Sequence, residues 1–185
     1  LFDRAVQALY LQVLDPIVET KSDPRSFGFR KYRSVRDAAA YIKLVCGSMY
    51  GKRHILEIDI KQFFPSTSHE WLLEKAPMDK RILREFLKAG MVEITRFSET
   101  MEGVPQGGII SPTLSNFVLN GLEEAIKDIN GTFLVRYADD FVVLGDDKAG
   151  LDRAKEEISL FLSKRKLSIH EEKSKFSTIE EGFDF

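Results

Sequence analysis

At 185 residues and 43% hydrophobic, the chain can bury a sizeable core as one domain or as a domain with a lobe attached. Cys46 is the single cysteine, which excludes a disulfide framework and a thiolate zinc site; no apolar run of about 18 residues and no export signal is present, so a cytoplasmic chain without membrane contact is expected. The net charge of -2 excludes a uniformly basic nucleic-acid binder and directs attention to local charge.

The chain opens at Leu1, as an excised piece would, and enters helical periodicity at Phe2, Val6, Leu9, Tyr10, Val13 and Leu14, with Pro16 expected to end or kink the helix. Residues 21–36 then carry Lys21, Arg25, Arg30, Lys31, Arg33 and Arg36 interleaved with Phe27, Phe29 and Tyr32. That mixture suits phosphates and base faces, or equally a solvated charged loop; Arg25, Arg30, Lys31 and Arg33 are the candidate RNA contacts. Ser34-Val35-Arg36-Asp37 is a capping-box pattern predicting a helix through about Tyr50, and Gly51-Lys52 reads as a turn.

From Arg53 to Ile60 the period changes to two, with Leu56, Ile58 and Ile60 on one face and Ile55, Glu57 and Asp59 on the other, so a strand delivers Asp59 at its end. Short helices are predicted around Trp71 to Lys75 and Ile82 to Ala89, stopped by Gly90, followed by a strand from Met91 to Phe97. Gly103-Val104-Pro105-Gln106-Gly107-Gly108 permits close backbone approach to a ligand, with amide donors free at a following helix N-terminus. Ser111 as N-cap with Pro112 at the first helical position would start that helix, whose apolar face runs from Leu114 to Ile129. Asn130-Gly131 closes it.

Thr132 to Tyr137 and Phe141 to Leu144 read as a hairpin with Asp139 and Asp140 near its tip; a helix from about Leu151 to Arg165 and an extended segment from Phe176 to Phe185 complete an α+β sheet with helices packed on one face. Two adjacent carboxylates in an otherwise buried hairpin repel each other and cost several kcal/mol to desolvate, which points to divalent cations as compensators. Asp59 ends another strand and supplies a third acid. His54, His69 and His170 are too scattered to propose a histidine metal site.

In order along the chain, Asp3-Arg4-Ala5-Val6-Gln7, Ser26-Phe27-Gly28-Phe29-Arg30, Asp59-Ile60-Lys61-Gln62-Phe63-Phe64, His69-Glu70-Trp71-Leu72, Pro105-Gln106-Gly107, Tyr137-Ala138-Asp139-Asp140 and Glu171-Glu172-Lys173-Ser174 resemble the reverse transcriptase domain of group II intron-encoded proteins, the maturase class. The resemblance implies a polymerase palm over residues 53–185 and part of a fingers subdomain over residues 1–52, with the thumb absent. It implies RNA-templated DNA synthesis, with two Mg²⁺ ions, or Mn²⁺ as a substitute, held by Asp59, Asp139 and the Ile60 carbonyl and with Asp140 as a supporting acid. Lys61, Gln62, Phe63, Phe64 and Gln106 would line the nucleotide pocket beside Ile60. Phe64 would crowd the sugar 2′ position and exclude ribonucleotides, and Lys173 would protonate or bind the departing pyrophosphate. The implied partners are an RNA template such as intron RNA, a DNA or RNA primer, and deoxynucleoside triphosphates, with splicing and retrohoming in the longer protein.

Pro65 stands where related proteins usually have aspartate, and Lys31-Tyr32 replaces their usual Pro-Gly. The family's upstream fingers motifs and the thumb are not in the chain, so the fragment alone is expected to polymerise poorly. Rival readings are a CRISPR-associated reverse transcriptase, an RNA-binding maturase module with lapsed polymerase activity, and a nucleotidyl cyclase. The intact acids argue against the second, and Phe64 with the Pro-Gln-Gly segment against the third.

Overall fold

A computed structural model describes residues 2–47, 51–89, 91–93, 96–98, 102–105 and 107–183. The period-two run that leads to Asp59 is a strand, β1 (His54–Ile58). Further along the chain lie β4 (Phe133–Tyr137), β5 (Asp140–Gly145) and β6 (Lys175–Thr178). β1 pairs antiparallel with β5 on one side and β6 on the other, and β5 pairs with β4, giving the order β4-β5-β1-β6. The expected antiparallel sheet is present, and the Tyr-Ala-Asp-Asp segment turns the β4–β5 hairpin.

Alternation along these strands feeds two cores. Leu56 and Ile58 of β1, Leu134 of β4, and Phe141 and Val143 of β5 join a cluster with α6 (Ser111–Leu119), α7 (Leu122–Ala125), α8 (Lys148–Ser163) and the second half of α1 (Phe2–Glu19). Ile55, Val135, Val142 and Leu144 point the other way, onto Ala38, Ile42 and Val45 of α2 (Val35–Cys46) and onto Phe27. The main helical layer covers one face as expected, and α2 adds a cover on the other. Each fully buried Leu or Ile side chain contributes about 1.5–3 kcal/mol. A one-residue slip would exchange the two sets, so both cores specify the register that aligns the acids.

Several boundaries differ from those the sequence predicts. α1 runs through Pro16 to Glu19, because a proline removes one N–H without preventing the next turn from forming. α2 does begin with the reciprocal Ser34–Asp37 capping box, but it ends at Cys46 rather than near Tyr50. Met91–Phe97 is not one strand but a hairpin of β2 (Met91–Glu93) and β3 (Arg96–Ser98), whose backbone groups satisfy each other. The stop signal at Gly90 lies outside the described residues. Between β1 and β2 run a one-turn helix, α3 (Phe63–Ser66), and the two predicted helices, α4 (His69–Lys75) and α5 (Lys80–Leu87).

Ser111 is the first residue of α6, not its cap: Ile110 holds the cap position and the Ser111 hydroxyl donates to the Pro105 carbonyl at 2.7 Å. The apolar face from Leu114 to Ile129 is broken at Asn120-Gly121. Gly121 turns at φ +97°, and its N–H donates to both carboxylate oxygens of Asp23 at 3.0 and 3.1 Å, which takes the donor that would have continued the helix.

Candidate active site at the end of the central sheet

The β1–β5 register ends with Ile58 opposite Phe141, and continuing it by one pair sets Asp59 opposite Asp140. Both acids line a depression of about 480 Å³ at this end of the sheet, together with Glu57, Lys173 and Lys175. Burial raises the Asp140 carboxyl above its ordinary range, and repulsion from Asp139 and Asp59 adds to the effect. Lys173 stands with its Nζ 3.6 Å from the Asp59 carboxylate, but it is 62% exposed, so it compensates the acids weakly.

The segment before β6 builds this arrangement. Lys61 N–H donates to the Ser168 carbonyl at 2.9 Å, His170 N–H to the Asp59 carbonyl at 2.8 Å, and Asp59 N–H to the Ser174 hydroxyl at 3.2 Å. These bonds carry Lys173 to the acid end, so the structure does bring Lys173 and Asp59 together. It places the two turn acids differently from each other: Asp140 lines the depression with Asp59, while Asp139 is half-buried within the turn. Among the described residues, no three His, Cys, Asp or Glu side chains are drawn into a group that could hold a metal ion. The donor type nevertheless fits a hard cation such as Mg²⁺, because carboxylates supply oxygen ligands and the repulsion that Asp139 and Asp59 exert on Asp140 is what a cation relieves.

Phe63 is buried and Phe64 is partly buried against it, edge to face at 5.3 Å between ring centres. The Phe64 carbonyl accepts Val104 N–H at 2.8 Å, and the Thr67 carbonyl accepts Gly103 N–H at 2.9 Å, so α3 is tied to the two residues that precede Pro105. Gly103, at φ +88°, makes this approach possible: a Cβ there would lie 2.6 Å from the Phe64 carbonyl oxygen. Lys61 and Gln62 are exposed at the start of α3, and Gln106 lies outside the described residues.

The amides of Gly108, Ile109 and Ile110 before α6 are taken. Gln7, buried on α1, accepts Ile109 N–H at 2.9 Å, and Arg4 donates to the Gly107 carbonyl at 2.9 Å, so α1 clamps the glycine loop. Both residues stand in the Asp3-Arg4-Ala5-Val6-Gln7 motif, to which the family resemblance attaches no role. The sequence signal for Gln7 is a polar side chain beside the apolar stripe of an amphipathic helix.

The basic stretch is spent largely on the fold. Arg30 donates through two nitrogens to Glu19, at 2.8 and 2.6 Å, and through a third to the Asp23 and Ser26 carbonyls, at 2.8 and 2.7 Å. Those contacts hold the Glu19 carboxyl below its ordinary range. Arg33 donates to the Pro24 carbonyl and lies over the Phe27 ring; Arg25 pairs with Glu123 and lies over Tyr41 and Phe133; Lys31 pairs with Asp15 at 3.0 Å. Tyr32, at the position where the family resemblance leads one to expect glycine, is fully exposed at φ +63°, a conformation that glycine would adopt without strain.

A four-stranded antiparallel sheet with helices against it and acids at adjoining strand ends defines a palm-type α+β domain. Solved structures agree on the fold: apo telomerase from Candida tropicalis superposes with a TM-score of 0.67 at 12% identity, covering 98% of this chain and 38% of that one. The family model for reverse transcriptase (RNA-dependent DNA polymerase) matches residues 1–185, and the chain belongs to that family. Protein YkfC of Escherichia coli is 31% identical over 99% of this chain, and the group II intron-encoded protein LtrA of Lactococcus lactis is 33% identical over 71% of it. The chain spans 59% of the first and 22% of the second.

Proposed function

We propose that this chain carries the catalytic palm of a group II intron-type reverse transcriptase, extending a DNA or RNA primer with deoxynucleoside triphosphates on an RNA template. The observation that supports this most directly is the register that sets Asp59 opposite Asp140 beside Asp139, in a chain of the reverse transcriptase family. In this reading residues 1–52 are partial fingers, residues 53–185 are palm, and the longer protein works in the cytoplasm on intron RNA. No helix among the described residues is long and apolar enough to cross a membrane. The 33% identity to LtrA favours the intron setting.

Two Mg²⁺ ions held by Asp59, Asp139, Asp140 and the Ile60 carbonyl would activate the primer 3′-hydroxyl and neutralise the triphosphate. The side chains of this chain do the rest. Phe64, held against Phe63 and bound through its carbonyl to the Val104 amide, meets the sugar 2′ position with a rigid ring that accepts a hydrogen and clashes with a hydroxyl. Gln106 offers an amide that both donates and accepts beside the incoming nucleotide. Lys173, exposed and only loosely paired with Asp59, can turn toward the phosphates and give a proton to the leaving pyrophosphate.

The test is primer extension by the full-length protein on an RNA template, with Mg²⁺, beside an Asp139→Asn variant. Extension by the wild type and a loss greater than about 10²-fold in the variant is the expected result, since even a residue that only supports a metal ligand typically costs 10–100-fold. A folded, RNA-binding wild type that extends nothing would leave the RNA-binding splicing module as the reading.

A further inference from the structure

We propose that Arg136 is a positioning residue for the acid turn: its guanidinium, anchored on Asn116, holds the Ala138 carbonyl and so sets the point from which Asp139 and Asp140 leave the sheet. The inference rests on the reading of those acids as the metal-binding set.

Arg136 is fully buried in β4, on the side facing α6. A buried guanidinium is costly to desolvate and is retained only when its hydrogen bonds are made. One terminal nitrogen donates to Asn116 Oδ1 at 3.0 Å and to the Ala138 carbonyl at 2.9 Å; the other donates to Asn120 Oδ1 at 3.2 Å. Asn116 in turn donates through Nδ2 to the Gly28 carbonyl at 3.0 Å. A single polar node therefore joins α6, the loop at Gly28 and the turn between β4 and β5.

The turn needs such a hold. Ala138 sits at φ +58°, in the left-handed region that is strained for a non-glycine residue because Cβ crowds the following carbonyl. Relaxation of that peptide would rotate the backbone immediately before Asp139. The Arg136 bond to the Ala138 carbonyl opposes the rotation from the α6 side. From the edge of the sheet, Phe27 N–H donates to the Arg136 carbonyl at 2.8 Å and Arg136 N–H to the Arg25 carbonyl at 3.0 Å. Gly28 then closes over the turn so tightly that a Cβ there would lie 2.2 Å from the Ala138 nitrogen.

The node is not arranged for stability alone. Arg136 Nε and Ser26 Oγ are buried without a hydrogen-bond partner among the described residues, and they belong to the two residues paired across the parallel bridge that joins the loop to β4. Burial lowers the Arg136 guanidinium to about 10, with Asp23, Glu123 and Asp139 offsetting part of that effect, so it remains charged at neutral pH. Lysine cannot take its place, because an ammonium lacks the planar fork that reaches Asn116, Asn120 and the Ala138 carbonyl together.

The experiment compares Arg136→Lys with wild type in the full-length protein, reading hydrogen–deuterium exchange along the chain, thermal melting and steady-state primer extension. Positioning predicts a folded variant with faster exchange confined to residues 137–140. It also predicts a kcat lower on the order of 10²-fold, as for a roughly 1 Å misplacement. The KM for the nucleotide should stay within about twofold, the mark of an interaction that acts on the reaction step rather than on binding. Unchanged exchange at the turn, or a kcat loss no greater than the loss of folded protein, would overturn the proposal and leave Arg136 a core residue. If Arg136→Lys is not recovered folded, Asn116→Ala, which keeps the charge and removes its anchor, must loosen the same turn; unaltered exchange there also overturns it. A wild type that extends no primer sinks the polymerase reading, while the exchange measurement still decides the role of Arg136.

Discussion

The acid end of the sheet and the basic stretch after α1 are both clusters of like charge, yet the fold treats them oppositely. At the acid end, Asp140 is repelled by both Asp139 and Asp59; Lys173 pairs loosely with Asp59 from an exposed position, Lys175 lines the same depression, and the buried Arg136 guanidinium acts on Asp139. In the basic stretch, Arg25, Arg30, Lys31 and Arg33 each have an acid, a carbonyl or a ring as partner. Charge that a fold leaves unbalanced is available to a ligand, whereas charge that it balances internally is holding the chain together. On that ground the acids are the better functional candidates, and the arginines anchor the loop on which Gly28 approaches the acid turn.

The largest effect that could break this contrast is at Asp59. Asp59→Asn should lower primer extension by more than about 10²-fold while leaving the melting temperature unchanged or raised, because it removes repulsion from an unbalanced cluster. A clear loss of stability instead would mean that the acids, too, are structural. Arg30→Ala should do the opposite: its side chain is 5% exposed and satisfies two carbonyls and Glu19, so the variant should lose about 2–3 kcal/mol in chemical denaturation. RNA affinity per folded molecule should hold.

A smaller effect concerns Asp23, whose carboxyl is raised above its ordinary range chiefly by burial. A carboxyl with a folded-state pKa above its unfolded value binds more protons folded than unfolded between the two values. Stability therefore falls as pH rises through the carboxylate range and levels off above the folded value. Asp23→Asn keeps an acceptor for the Gly121 N–H and should flatten that part of the stability–pH curve, measured by denaturation from acid to neutral pH. The smallest expected effect is at Lys31, whose side chain is 75% exposed. Lys31→Ala should leave melting unchanged; a uniform loss of RNA affinity with a salt slope reduced by roughly 0.7 would return this residue to the nucleic-acid interface.

Much of the site is legible in the linear chain. Period two over residues 53–60, the apolar flanks of the Tyr-Ala-Asp-Asp turn and the ordered motifs point to the strands, the acids and the fold class, because apolar, β-branched runs are a local property that strands covered on both faces must display. Where sequence and fold disagree, a distant residue has intervened. Ser111 is not a cap because Pro105 takes its hydroxyl, the amides of Ile109 and Ile110 before α6 are occupied because Gln7 reaches them from α1, and α6 stops because Asp23 holds Gly121. The sequence leaves the arginines open as RNA contacts or as a solvated loop because their intramolecular partners, Glu19, Glu123 and backbone carbonyls, are not recognisable as partners in a linear string.

What the sequence by itself determined is the strands of the main sheet, most of the helices, the family and the acids proposed to act. What only the tertiary structure decided is which charges remain unpaired and how the acid turn is held. Gly28, Asn116 and Arg136 lie in three separate elements, and no periodicity links them. Their meeting depends on packing a loop, a helix and a strand into one buried volume, where a polar group must find whatever partner the fold brings within about 3 Å.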